Sequence, residues 1–115
     1  MIYADTDFFL ALLKEGDRLH NKALEILEKY KGRITTSIIT FVELGLVSKK
    51  YNLDVLKVFQ AVMAICNIDD ARLLKATLYI KEGVGVFDAF HAAFAGEEII
   101  SSDHVYDRLG LRRVW

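Results

Sequence analysis

The stretch Ile2-Tyr3-Ala4-Asp5-Thr6-Asp7 decides the fold, because it ends a short apolar run in a carboxylate. Residues 2–5 have no polar alternation before the acid, which is typical of a strand covered on both faces, as in a parallel sheet. Thr6 can cap the helix that follows, whose apolar stripe begins at Phe8. Because an unpaired charge at a buried strand end is costly, Asp5 is a candidate functional residue.

Short apolar runs alternate with helical patterns along the rest of the chain. Apolar residues at spacings of three and four predict helices whose approximate ranges are 8–13, 17–30, 41–50, 54–63, 70–82 and 87–95. Further strands are predicted at 33–39, 64–68, 98–101 and 111–115, and a short helix after Ser102. This alternation predicts an α/β fold: a three-layer α/β/α sandwich around a mostly parallel sheet of four to five strands.

Composition narrows the class of protein. A chain of 115 residues, 53% of them hydrophobic, predicts a single folded domain over residues 1–115. The net charge of −1 gives no global attraction for nucleic acid, so such binding would need a local patch or bound metal. The single cysteine, Cys66, excludes an intramolecular disulfide and is expected to be a small buried side chain. No signal peptide or membrane span is evident, and we expect a cytoplasmic protein without a membrane partner.

Three more acids, Glu43, Asp88 and Asp103, lie at or near junctions between apolar runs and helices. In a parallel sheet, sites form outside the carboxyl ends of the strands, where Asp5 and Asp103 would lie. Glu43 and Asp88, each about one turn into a helix, can reach the same edge. Neighbouring carboxylates repel one another unless a cation binds between them. Oxygen ligands suit Mg²⁺ or Mn²⁺, which can activate a water, so we expect hydrolysis of a phosphodiester.

Each acid also has a structural interpretation. Asp5 could cap a helix, Asp88 could interact with a helix dipole, and Asp103 could be an ordinary acid at a helix N-terminus. Glu43 follows Thr40 by three positions, the spacing of a capping box. His91 shares a helix face with Asp88 but is expected to be a core histidine rather than a ligand. Local positive charge for a phosphate backbone could come from five side chains: Lys49, Lys50, Arg108, Arg112 and Arg113.

Four short motifs occur in a fixed order: Asp5-Thr6, Thr40-x-x-Glu43-Leu44, Phe87-Asp88-Ala89-x-x-Ala92 and Ser101-Ser102-Asp103. In this order the chain resembles a PIN domain, and most closely the single-domain VapC-like toxins of prokaryotes. The resemblance implies a parallel sheet in a three-layer sandwich and a Mg²⁺- or Mn²⁺-dependent ribonuclease. It also implies RNA as substrate, a small antitoxin protein as partner, and a homodimer.

Carried over residue by residue, the resemblance makes Asp5, Glu43, Asp88 and Asp103 the catalytic and metal-binding acids. Thr6 matches a hydroxyl residue that supports the first aspartate. The chain departs from the family where many relatives have a fifth aspartate, since Val105 stands there, followed by Tyr106. Asp107 is not expected to bind metal directly, and a second metal should bind weakly.

Two other functions fit the same acids. One is a structure-specific DNA nuclease, although the chain has little room for the inserted arch that such enzymes use. The other is a catalytically silent PIN-fold module for RNA processing or protein interaction, against which the complete quartet argues.

Overall fold

The computed structural model describes residues 1–115, which divide into two compact units, Met1–Asp69 and Asp70–Trp115. Seven helices and four short strands follow one another along the chain. Both strand pairings are parallel. The α/β class predicted from the sequence is therefore confirmed, and each unit carries one parallel pair with its own helices.

The first unit contains β1 (Ile2–Tyr3), α1 (Thr6–Leu13), α2 (His20–Tyr30), β2 (Ile34–Thr35), α3 (Ile38–Lys50) and α4 (Val55–Cys66). Strands β1 and β2 pair in parallel, with Ile2 opposite Ile34 and Tyr3 opposite Thr35. The pairing is extended past the strand ends, since the Ala4 amide donates to the Thr35 carbonyl at 2.9 Å. Thr36 Oγ1 also lies 2.8 Å from the Ala4 carbonyl oxygen. The carboxyl ends of both strands are thus held together.

Aromatic side chains fill the core of the first unit. Phe41 of α3 and Phe59 of α4 meet edge to face, with ring centroids 5.2 Å apart. Phe9 of α1 and Leu44 of α3 are fully buried. The apolar stripe of α4 continues to Cys66, which is buried as predicted, and this burial raises the pKa of its thiol. Burial of such side chains is the main stabilising contribution in a domain of this size.

The second unit contains α5 (Ala71–Lys81), α6 (Val86–Ala95), β3 (Glu98–Ile100), α7 (Val105–Arg108) and β4 (Arg112–Val114). Strands β3 and β4 pair in parallel, with Glu98 opposite Arg112, and these two side chains form an ion pair. Ala92, Tyr106 and Leu111 form a buried cluster. Five partly buried side chains pack against it: Tyr79, Ala95, Ile99, Val105 and Leu109.

Several helix boundaries have a local cause in the sequence. Asp54 and Asp70 are the N-caps of α4 and α5, and each accepts a hydrogen bond from a backbone amide of the first turn, at 3.3 and 3.0 Å. Gly32 and Gly83 directly follow the C-caps of α2 and α5 and have φ of +77° and +97°. Glycine takes up this left-handed backbone without a steric cost, so both stops were readable from the sequence.

The strand predicted at 64–68 is wrong. Its first half is the last turn of α4, where Cys66 continues the buried stripe of Val62 and Met63. Asn67 then turns the chain with φ of +53°, and the Ile68 amide donates to the Met63 carbonyl at 2.9 Å. That bond closes the helix in a Schellman-type stop, so the backbone groups that a strand would need are already paired.

The first two strands are shorter than predicted. β1 ends at Tyr3 because Asp5 is already the N-cap of α1, and β2 ends at Thr35 because α3 begins at Ile38 despite its β-branched first turn. The expectation that strand one is covered on both faces is also wrong, since Ile2 is 42% and Tyr3 56% exposed. The three-layer sandwich around one sheet of four to five strands stays a prediction. None of the helices has both the length and the apolar character to cross a membrane.

Candidate functional site

Asp5 follows β1 and is the N-cap of α1, whose first residue is Thr6, so the expectation that Thr6 caps this helix is wrong. Its backbone is extended, with φ −89° and ψ 178°, as an N-cap requires, but its side chain makes no capping hydrogen bond. The carboxylate is exposed. The structural interpretation as a cap therefore accounts for the backbone of Asp5 and leaves both carboxylate oxygens available.

Glu43 is held by a residue far away in the sequence. Thr6 is the first residue of α1 and is 9% exposed, and its Oγ1 donates to Glu43 Oε1 at 2.8 Å. The capping-box interpretation of Thr40 and Glu43 is wrong, because the N-cap of α3 is Ser37 and Thr40 lies inside the helix. The Thr6 hydroxyl therefore supports the carboxylate of Glu43 and not, as the family resemblance had implied, that of the first aspartate. The hydrogen bond brings Glu43 beside the residue that follows Asp5.

Hydroxyl groups surround this end of the first unit. The Tyr3 hydroxyl lies 2.7 Å from Ser37 Oγ, and this hydrogen bond is the main reason that the pKa of Tyr3 is below its usual value. Thr36 Oγ1 lies 2.8 Å from Thr40 Oγ1. Tyr3 and Ser37 were not predicted as site residues. Two features of the sequence could have indicated them. Tyr3 stands two positions before Asp5, and Ser37 ends the hydroxyl-rich run Thr35-Thr36-Ser37 at the end of the next strand.

In the second unit, Asp88 lies in the first turn of α6 and is partly buried. The Tyr106 hydroxyl, whose residue is 4% exposed, donates to Asp88 Oδ1 at 3.3 Å. Burial raises the pKa of Tyr106, and the negative charges of Asp88 and Asp103 raise it further. Tyr106 therefore stays protonated and able to donate, and it lies near both acids of this unit.

Asp103 follows the end of β3 in a tight turn. Its Oδ1 accepts the Val105 amide at 2.9 Å, and its own amide donates to Ser101 Oγ at 3.0 Å. The interpretation of Asp103 as an acid at a helix N-terminus thus accounts for one carboxylate oxygen. Oδ2 makes no hydrogen bond, and the side chain is exposed.

The carboxylate of Asp107 is hydrogen-bonded to His104 and Arg113. It accepts from Arg113 Nε at 3.2 Å, and His104 Nδ1 lies 3.0 Å from its other oxygen. The hydrogen bond from His104 and the ion pair with Arg113 lower the pKa of Asp107. Both oxygens are occupied by hydrogen bonds, and the expectation that Asp107 does not bind metal directly stays a prediction. Arg113 and Arg112 are paired with acids, so neither is a free cation for a phosphate.

The structure brings the four predicted acids together as two pairs, one in each unit. Asp5 directly precedes Thr6, whose hydroxyl bonds Glu43 of α3, and Asp88 and Asp103 are both close enough to Tyr106 to raise its pKa. Neither unit by itself gathers three or more acidic, histidine or cysteine side chains into a group able to hold a metal ion. His91 is exposed, so the expectation of a core histidine is wrong. Convergence of all four acids on one metal centre stays a prediction.

A family model described as "PIN domain" matches residues 2–110, and the chain belongs to this family. The match spans all four sequence motifs and both units of the structure. PIN domains are generally nucleases and typically bind divalent metals, so the chain has a nuclease-type fold. Neither a curated protein nor a solved structure matches it.

Proposed function

We propose that the chain is a divalent-metal-dependent endoribonuclease in which Asp5, Glu43, Asp88 and Asp103 bind Mg²⁺ or Mn²⁺. The observation that carries the proposal is which oxygens of the four carboxylates are hydrogen-bonded and which are not. Glu43, Asp88 and Asp103 each have one oxygen anchored by a donor and the other without a hydrogen bond. Asp5 has both oxygens without one. A carboxylate that is oriented by one oxygen is prepared to bind a cation with the other.

The donor set fits a hard cation. All four candidate ligands are carboxylates, and no histidine or thiol lies among them, which favours magnesium or manganese over zinc or copper. A bound cation would supply water activation and stabilise negative charge on the phosphate and the leaving oxygen. Thr6 and Tyr106 would fix the orientation of Glu43 and Asp88, so less ordering would be needed when the metal and the substrate bind.

The finer parts of the proposal rest on the family. We propose that the chain folds as a three-layer sandwich with a single parallel sheet and forms a homodimer. We also propose that it is a VapC-like toxin that cleaves RNA in the cytoplasm and is silenced by a small antitoxin protein. The proposal requires the Asp5–Glu43 pair and the Asp88–Asp103 pair to serve the same metal centre. A variant in each pair tests this requirement directly.

The first experiment is cleavage of a labelled single-stranded RNA in Mg²⁺ and in Mn²⁺. We expect cleavage by the wild-type protein, and none after EDTA is added. Asp5→Asn and Asp88→Asn should each lower the rate at least about a hundredfold, because each removes a charged ligand that acts together with the others. Duplex DNA and flap substrates in parallel lanes separate this function from a structure-specific DNA nuclease.

Asp7→Asn is the matched control, since it removes the same charge from the first turn of α1 at an exposed position. Its rate should stay within about twofold of wild type, as expected for a surface substitution. An undiminished rate in Asp5→Asn would refute the assignment. No cleavage by folded wild-type protein, together with no Mn²⁺ binding in calorimetry, would instead favour a silent PIN-fold module.

A further inference from the structure

An exposed tyrosine flanked by two lysines lies at the far ends of α1 and α3. Tyr51 is the C-cap of α3 and is 55% exposed. Lys14 Nζ lies 5.2 Å and Lys50 Nζ 5.4 Å from the centroid of its ring. Neither lysine has an acidic partner. In a chain whose net charge is −1, this is a local concentration of positive charge around an accessible aromatic face.

The same two helices carry the first acid pair at their other end. Thr6 of α1 bonds Glu43 of α3, and eight positions later in each segment Lys14 contacts Tyr51. Helices α1 and α3 therefore run side by side in the same direction. Eight residues of helix rise about 12 Å, so Tyr51 lies roughly that far along α3 from Glu43. A single strand of a few nucleotides spans this distance.

The backbone holds Tyr51 in place. Its amide donates to the Val47 carbonyl at 3.0 Å. The next residue, Asn52, has φ of +54°, and the Leu53 amide donates to the Ser48 carbonyl at 2.8 Å. This is again a Schellman-type stop, which fixes where α3 ends and presents the ring of Tyr51 at a defined position.

We infer that Tyr51, Lys14 and Lys50 form a binding subsite for single-stranded RNA, which we name the Tyr51 platform. The inference rests on the proposed function, because it places the bound strand beside the Asp5–Glu43 pair. One base stacks on the Tyr51 ring, and the two ammonium groups leave the ring to pair with the flanking phosphates. Stacking of a base on an aromatic side chain is stronger than an exposed lysine–ring contact, so the exchange is favourable.

A second tyrosine with two cations provides the matched control. Tyr30, at the end of α2, has Lys29 Nζ and the Arg33 guanidinium 5.4 Å from its ring centroid. However, Tyr30 precedes β2, whereas Asp5 follows β1, and the two strands are parallel. Tyr30 thus lies at the amino end of the strand pair, whereas Asp5 and Glu43 lie at the carboxyl end of that pair. Lys29→Gln removes one ring-bound lysine from the same unit without touching the Tyr51 platform.

The test is the Kd for a fluorescent single-stranded RNA of about 12 nucleotides, measured by anisotropy in EDTA so that nothing is cleaved. Tyr51→Leu should weaken binding about tenfold through lost stacking, and Tyr51→Phe should bind like wild type. Lys14→Gln and Lys50→Gln should each weaken binding. Each should also make the negative slope of log K against log salt less steep by about 0.7, because each variant loses one phosphate contact. Lys29→Gln should change neither quantity.

This experiment distinguishes refutation of the RNA-binding subsite from refutation of the nuclease function. If Tyr51→Leu, Lys14→Gln and Lys50→Gln all bind as tightly as Lys29→Gln, the Tyr51 platform is refuted, even where the protein cleaves RNA. Absence of RNA binding by the wild-type protein refutes it too. If the platform variants lose binding and no variant or metal supports cleavage, the inference stands and the nuclease function does not. Should Tyr51→Leu fail to fold by circular dichroism, the two lysine variants decide.

Discussion

A buried tyrosine hydroxyl needs a hydrogen-bond partner, and Tyr106 has a carboxylate as its partner. Its ring belongs to the cluster with Ala92 and Leu111, and its hydroxyl donates to Asp88 at 3.3 Å. The sequence places a tyrosine after Val105 but does not show what its hydroxyl contacts. Tyr106 lies in α7 and is the residue of that helix whose side chain contacts Asp88. We assign Tyr106 as a positioning residue for the Asp88 carboxylate.

Tyr106→Phe keeps the ring and removes the hydrogen bond. Hydrogen bonds to charged groups contribute about 1.5–3 kcal/mol of free energy. Because the Tyr106–Asp88 hydrogen bond is long, we expect its contribution to lie near the lower limit. Affinity for Mn²⁺, measured by calorimetry, should fall about tenfold, which corresponds to about 1.4 kcal/mol. The melting temperature should move by only a few degrees, since the packing is preserved.

Tyr79→Phe is the control, because Tyr79 packs against the same cluster and contacts no acid in the second unit. It should leave the Mn²⁺ affinity unchanged. Equal affinities in wild type and Tyr106→Phe would show that the Tyr106 hydroxyl only completes the core.

At the scale of single residues, the sequence predicted the four acids but not how each is held. Thr6 and Glu43 are 37 positions apart, and their hydrogen bond exists only because α1 packs beside α3. A capping box needs only local spacing, so the Thr40–Glu43 interpretation was available from the sequence while the correct partner was not. By contrast, the capping roles of Asp54 and Asp70 depend only on neighbouring residues, and the predicted helix ranges 54–63 and 70–82 begin at these two positions.

At the scale of elements, helical periodicity was the reliable signal and β-branched content was the misleading one. The predicted strand at 64–68 is the end of α4, although the spacing of Phe59, Val62, Met63 and Cys66 already continues the helical stripe. Strand two was predicted too long for the same reason, since Ile38 and Ile39 open α3. Short strands lack a long pattern, so their ends depend on where the neighbouring helices begin.

The stop of α4 at Asn67 gives a prediction for this element. With φ of +53°, Asn67 occupies the left-handed region, which costs alanine about 1 kcal/mol more than glycine. Asn67→Ala should therefore lower the free energy of unfolding in urea by about 1 kcal/mol, whereas Asn67→Gly should leave it within a few tenths of wild type.

Asn21→Ala is the matched control, because Asn21 lies in α2, where alanine is the better helix former. It should not destabilise the protein. If Asn67→Ala and Asn67→Gly are equally stable, the left-handed stop does not limit the stability of α4.

At the scale of the whole molecule, the size of the second unit decides how the chain unfolds. Residues 70–115 contain 46 residues, one parallel pair of three-residue strands and no cysteine, since Cys66 lies in the first unit. A segment this small without a disulfide is at the lower limit of independent stability. The family match at residues 2–110 also runs across the boundary between the units. Both observations are reasons to expect that the two units unfold together.

We therefore predict one cooperative unfolding transition for the full chain. In urea, hydrogen–deuterium exchange should give the most protected amides of α4 and of α5 the same opening free energy, because neither unit opens alone. The isolated segment 70–115 should show no cooperative thermal transition by circular dichroism, while the full chain shows one. A lower opening free energy throughout α5, α6 and α7 than in α4 would mean that the second unit unfolds first. The chain would then behave as two domains.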